Sequence, residues 1–161
     1  MEYQDALPIV AVLPEAENPG EDLLAKATTG SQAFDTHIYL YESVGALISL
    51  IKDAEEQSRM LDAAFQPLIS ELGAAVQSKT GGNQPELQQV LQVHHVILAI
   101  GAIARGFPEP GEVAPVLAPS WLPAFEAPSQ AVLQTLESFK GYRIVRDAVG
   151  VQVCCAVIEP H

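Results

Sequence analysis

The chain has 161 residues, 48% of them hydrophobic, which is ample for a packed core and excludes a disordered polymer. Thirteen acids and four bases in the first eighty residues (−9) and seven and four in the remainder (−3) give a net charge of −12. A field of that sign excludes nonspecific coating of RNA or DNA and suits basic partner proteins, while leaving room for a local basic contact.

Residues 1–33 are the least organised part of the pattern. The N-terminal MEYQDALPIVAVLPEAE carries acids where a secretory signal needs positive charge, so the sequence reads as soluble and intracellular. Ile9 to Leu13 is a short apolar run between Pro8 and Pro14, and PEAENPGED after it is an acidic loop with two prolines and a glycine. A disordered or loosely packed loop is expected from about Pro14 to Ser31.

Helices are expected from there on. The first starts near Asp35 or Thr36, either of which can cap it, with Leu40, Val44, Leu47, Ile48 and Ile51 on one stripe. The second begins after Lys52, with Asp53, Glu55 and Glu56 in its first turn, where the dipole favours acids. Its stripe is Leu61, Phe65, Leu68, Leu72 and Val76. Pro67 inside it predicts a kink, and Lys79-Thr80-Gly81-Gly82-Asn83 predicts its stop. The third opens at Pro85, ends at Gly106 and contains Val90 to Phe107, a stretch too apolar for a surface helix. Only Val96 to Ala104 is free of charge and histidine, well short of the roughly 20 apolar residues that a membrane span needs. After the proline-rich loop FPEPGEVAP, the fourth covers about Ser120 to Phe139, its first half broken by Pro123 and Pro128. Its clean part carries Ala131, Leu133, Leu136 and Phe139. Gly141 separates it from the last helix, Tyr142 to Ile158. Cys154 and Cys155 within that helix are adjacent, face different ways and read as small buried hydrophobes in a reducing compartment.

Three of these helices share a device. Val44-Gly45, Ile100-Gly101 and Val149-Gly150 recur at steps of 56 and 49 residues, each with an aliphatic residue soon after the glycine. A glycine inside a helix costs about 1 kcal/mol relative to alanine, so three at matching places ask for a cause, and close approach of a neighbouring backbone is the usual one. Glycine-bearing apolar helices alternate with proline-bearing amphipathic ones. A period near 50 residues on helical segments predicts an all-α superhelix, a solenoid section of about five helices. No polar capping helix is evident at either end, as expected of a section of a longer solenoid or a truncated gene model.

Little in the sequence points to chemistry. His94 and His95 are adjacent and diverge by about 100° on a helix, so they cannot chelate one ion as i, i+4 histidines do. His37 and His161 have no spacing relation to them. There is no GxSxG turn, and Ser78-Lys79-Thr80-Gly81-Gly82 has its glycines on the wrong side of the lysine for a phosphate loop. No catalytic, cofactor-binding or metal-ligating residue is expected. Asp53 to Glu56 reads as a solvated helix start. The one basic group is Lys140, Arg143 and Arg146. Residues 143 and 146 lie a turn apart on one face, and Lys140 precedes them in the hinge. These three are the candidate contacts to a nucleic-acid phosphate backbone. The alternatives are pairing with Asp147 or Glu137, or complementing the end of the preceding helix.

At THIYLYESVGALISL, at HHVILAIGAIARGFPEP and at LESFKGYRIVRDAV, with Phe65-Gln-Pro-Leu-Ile69 between, the chain resembles the exportin-T (tRNA exportin) family of the importin-β/karyopherins, in its fungal form. The likeness runs from about Phe34 to Ile158 and would cover a middle section of a member several times longer. What it implies is a HEAT-like or ARM-like repeat scaffold over residues 34–161. The implied receptor carries tRNA out of the nucleus with Ran in its GTP form, meets nuclear pore proteins and shuttles between nucleus and cytoplasm. It implies neither an enzyme nor a membrane protein. The family's N-terminal Ran-binding repeats and C-terminal arch are not in this sequence. The alternative is a HEAT-repeat module that binds only protein partners. An all-α enzyme with a site dependent on His94 and His95 is the third reading.

Overall fold

The computed structural model describes residues 9–29, 32–81, 85–108 and 119–156, with the side chains at 32, 33, 80 and 151–156 outside the description. Its helices are α1 (Leu23–Thr29), α2 (Gln32–Ser49), α3 (Ala54–Thr80), α4 (Leu87–Arg105), α5 (Glu126–Phe139) and α6 (Arg143–Ala156), with a 3-10 turn at Leu122–Phe125 before α5. Among the described residues there is no strand. The two kinds of helix sort into two layers. The glycine-bearing α2, α4 and α6 lie side by side with α4 in the middle, while the proline-bearing α3 and α5 pack together behind them. This is the architecture of an α-solenoid section, as the repeat predicts.

Close approach holds the first layer together. A Cβ on Gly45 of α2 would stand 2.1 Å from the carbonyl oxygen of Ile103 in α4, and one on Gly106 would stand 2.3 Å from the backbone nitrogen of Ala46. Two helix backbones touch there because neither has a side chain in the way. The cause proposed for the recurring glycines therefore holds at Gly45 but not at Gly150, where a Cβ would meet nothing within 4 Å.

Helix α4 is buried on most of its circumference: Val90, Val93, Val96, Ile97, Ala99, Ile100, Ala102 and Ile103 are all core residues. It is 19 residues long and apolar enough to suggest a span, but two-thirds of it (67%) lies inside the fold, so it is a core helix. On α3 the expected residues Leu61, Phe65, Leu68 and Leu72 are buried, and each such side chain contributes roughly 1.5–3 kcal/mol. Asp53 caps α3 by accepting the Glu56 N–H at 2.8 Å. Pro67 sits within a helix that continues on both sides of it. Gln57, almost fully buried, donates to the carbonyl oxygens of Ile48 and Ile51 at 3.1 and 3.3 Å and so satisfies the open end of α2. Phe65, Phe107, Trp121 and Phe125 form an edge-to-face cluster that seals the exit of α4 against α3.

Besides the start of α2, which is Gln32 and not Asp35 or Thr36, four expectations need correction. On α2 the inward residues are Gly45 and Ile48, with Tyr41 packed on the core, whereas Leu40, Val44 and Leu47 face outward. The glycine decides this, because the face that touches another backbone is the face without side chains. On α5 the buried stripe is Pro128, Val132, Thr135 and Phe139, and Leu133 is exposed. Thr135 is tolerated there because its hydroxyl donates to the Ala131 carbonyl at 2.7 Å. Helix α5 begins only at Glu126, after a 3-10 turn that accommodates Pro123.

The fourth correction concerns the loop expected over residues 14–31, which contains α1. Asp22 starts that helix by accepting the Ala25 N–H at 3.1 Å. Lys26 pairs with Glu17 at 2.8 Å and Glu21 at 3.3 Å. Its hydrogen bond and charge hold the Glu17 carboxyl below the usual range, relieving the acid repulsion that argued against order. Upstream, residues 9–13 form an extended strap with Ile9 and Ala11 buried and Val10 and Val12 outward. Gln92 of α4 holds it in both directions, accepting the Ala11 N–H at 2.8 Å and donating to the Ile9 carbonyl at 2.5 Å. Gln88 donates to the Ala11 carbonyl at 3.3 Å. Most of the FPEPGEVAP loop and the C-terminal residues after Ala156 lie outside the described residues.

His94 and His95 are core residues, 8% and 4% exposed. Their Nδ1 atoms approach to 3.1 Å, and Phe34 stacks on the His95 ring at 3.6 Å between centroids. Burial lowers both imidazoles to about 4; Asp147 opposes this at His94, while His94 and His37 add to it at His95. Such a pair is a neutral packing element. Among the described residues, no three His, Cys, Asp or Glu side chains gather to hold a metal.

Two predictions follow from this packing. Gly45→Ala should destabilise the chain by about 1–3 kcal/mol or more, whereas Gly150→Ala should stabilise it by up to about 1 kcal/mol. Thermal melts followed by circular dichroism read both, and equal shifts would contradict the close crossing at Gly45. The histidines, protonated near pH 6.5 when unfolded and only near 4 when folded, contribute stability that is complete above pH 6.5 and is lost as the pH falls toward 4. The urea midpoint should therefore drop between pH 7.5 and pH 5.5, and a flat profile would rule out a buried neutral pair.

Candidate nucleic-acid interface

The turn between α5 and α6 carries the bases that the sequence singles out, and all three are exposed. Lys140 closes α5, Arg143 opens α6, and Arg146 stands one turn further along the same face. The structure adds a residue that sequence reasoning passed over. Lys79, in the last turn of α3, donates to the Ser138 carbonyl near the end of α5. Its ammonium lies 4.9 Å from the centre of the Phe139 ring and 5.9 Å from that of Tyr142. The only sequence signal for it was a basic residue before two glycines, which reads as a helix stop. Four of the eight lysines and arginines in this acidic chain thus meet at one corner.

Each of these cations already has a partner within the chain. Lys140 Nζ is 2.6 Å from a Glu137 carboxylate oxygen, and that contact holds the Glu137 carboxyl below its ordinary range. Arg143 Nε is 3.4 Å from Asp147. Arg146 donates to the carbonyl oxygen of Lys140. All the alternatives left open by the sequence are therefore realised: pairing with Glu137, pairing with Asp147 and complementing the end of the preceding helix. The assignments differ in strength. Lys79 and Arg146 satisfy carbonyls that the end of α5 leaves open, and they fix the turn to α3 and α6. The Lys140 and Arg143 pairs join side chains that are 66% to 85% exposed, where solvent screens an ion pair and leaves it little net strength. Those two cations can be redirected to another anion at small cost.

The basic groups elsewhere differ in setting. Of the other four, Lys26 is committed to Glu17 and Glu21, Arg59 to Glu56 at 2.6 Å and Arg105 to Glu42 at 3.5 Å across the α2–α4 crossing, while Lys52 is exposed next to Asp53. Each of these ion pairs is made with an acid from the first half of the chain. At the α5–α6 corner four bases stand with two acids, Glu137 and Asp147.

Comparison with known proteins bears on the same segment. The Exportin-T family model matches residues 2–154. The exportin-T of Mycosarcoma maydis is 35% identical over 165 residues, covering 98% of this chain and 15% of the relative. Those of Laccaria bicolor and Coprinopsis cinerea are both 38% identical, covering 90% and 89% of this chain and 14% of each relative. The chain therefore spans about one-seventh of the length of these relatives. With the two-layered helical fold and a family match over nearly its whole length, the chain belongs to the Exportin-T family.

Proposed function

We propose that this chain is a section of a nuclear export receptor for tRNA, a HEAT-repeat scaffold that acts with Ran-GTP and performs no chemistry itself. The observation that carries the reading is the family match over residues 2–154. In the full-length protein the proposed partners are tRNA, Ran in its GTP form and nuclear pore proteins, and the proposed location is the nucleus and the cytoplasm, between which it shuttles. Within this section, Lys140, Arg143 and Arg146 are the proposed contacts to the tRNA backbone, supported by their exposure and their concentration at one corner of a chain with net charge −12. The acidic remainder suits basic surfaces on protein partners.

A second reading, a scaffold for protein partners only, draws support from one observation. Every base at the corner is already paired within the chain. The two readings part on charge reversal. In the full-length receptor with Ran-GTP, Arg143→Glu together with Arg146→Glu should weaken tRNA binding by roughly tenfold or more at about 0.1 M salt. The dependence of affinity on salt should become shallower by about one unit of slope for each phosphate contact removed. An unchanged affinity in a variant that melts normally would favour the protein-only scaffold.

A further inference from the structure

We propose that Glu137 and Asp147 are built-in competitors at the basic corner, so that it admits ligands presenting several linked phosphates and turns away single anions. The proposal rests on reading this corner as a phosphate contact. Glu137 Oε1 lies 2.6 Å from Lys140 Nζ, and Asp147 Oδ2 lies 3.4 Å from Arg143 Nε. Each carboxylate oxygen takes up one donor of its cation, for which a phosphate oxygen has to compete. Each is also tethered within one helical turn of its cation, three and four residues away. Tethering on a short connection gives an effective concentration in roughly the millimolar range or above, so a free monoanion at lower concentration does not displace it.

A chain of phosphates is in a different position. Once the first phosphate has displaced one carboxylate, the second displacement is itself intramolecular, and the exposed pairs open easily. The framework stays in place meanwhile. Lys79 and Arg146 hold the carbonyls of Ser138 and Lys140 and keep the turn against its neighbours while Lys140 and Arg143 change partners. The displaced carboxylates remain within a Debye length of the ligand, about 10 Å at 0.1 M salt, and continue to repel it. The acids, as much as the bases, therefore set the threshold for binding.

The test is fluorescence anisotropy on the full-length receptor loaded with Ran-GTP, with a labelled RNA hairpin bearing a single-stranded 3′ end and inorganic phosphate as competitor. Glu137→Gln with Asp147→Asn should bind the hairpin about three- to tenfold tighter at low salt, with the gain shrinking as salt is raised. Inorganic phosphate should compete more effectively against that variant than against the parent. Lys140→Ala with Arg143→Ala should weaken binding about tenfold. If the bases matter and removing the acids changes nothing, the competitor role is overturned and the phosphate contact stands. If removing the bases changes nothing, or no variant binds the hairpin, both fall. Thermal melts should be unmoved in either double variant, since all four side chains are exposed.

Discussion

Two missing side chains hold this structure in its form. Where α2 crosses α4, Gly45 meets the carbonyl of Ile103, and Gly106 meets the backbone of Glu42 and Ala46. A pair of helices at ordinary spacing could not place Ile48 and the aliphatic residues of α4 in one core with α3 behind them. The crossing also brings Arg105 to Glu42. Once α4 is fixed against α2, its opposite side is free to pack on α6, and the layer is complete. The second layer follows, with Gln57 of α3 tied to the end of α2 and the aromatic cluster tied to the exit of α4.

The same crossing explains what could and could not be read from the residues. The stripe of α3 and the burial of α4 were legible, because their apolar residues recur at a spacing that admits one interpretation. Helix α2 is different, being apolar on nearly every side. Periodicity then cannot say which face is inside: of the expected stripe Ile48 is buried, but Leu40, Val44 and Leu47 looked as good as Tyr41 and Gly45. The glycine held the answer, since a face built for backbone contact has to be the inner one. The strap at Ile9–Leu13 was beyond reach for another reason: the amides that hold it, Gln88 and Gln92, lie 77 to 83 residues away. On α5 Phe139 was legible, but Val132 and a threonine that satisfies its own hydroxyl are buried where Leu133 and Leu136 were expected.

The basic corner divides along the same line. Lys140, Arg143 and Arg146 are neighbours in sequence, so their grouping was visible at once. Lys79 joins them from 59 residues away, by a contact to Ser138 that no local pattern foretells. Its presence changes the physical character of the group. The turn is anchored by two cations bound to helix-end carbonyls and lined by two carried in weak, exposed ion pairs. Such a division gives a rigid platform with replaceable counter-charges, which suits a surface that must hold an anionic cargo and let it go.

The outward face of α2 and the turn after it bear Tyr39, Leu40, Val44, Leu47 and Leu50, all exposed. Faces of this kind are buried between stacked repeats in a solenoid, and the relatives are about seven times longer than this chain. In the proposed full-length receptor, the basic corner is then one contact among others along a scaffold. The measurement that tests this most directly is site-specific cross-linking in that receptor, loaded with Ran-GTP and tRNA. A photo-reactive residue in place of Gly141 would sit beside Lys140, where an added Cβ meets nothing within 4 Å. The account predicts a cross-link to tRNA that depends on Ran-GTP. A receptor that holds its tRNA with no cross-link from this position would contradict it.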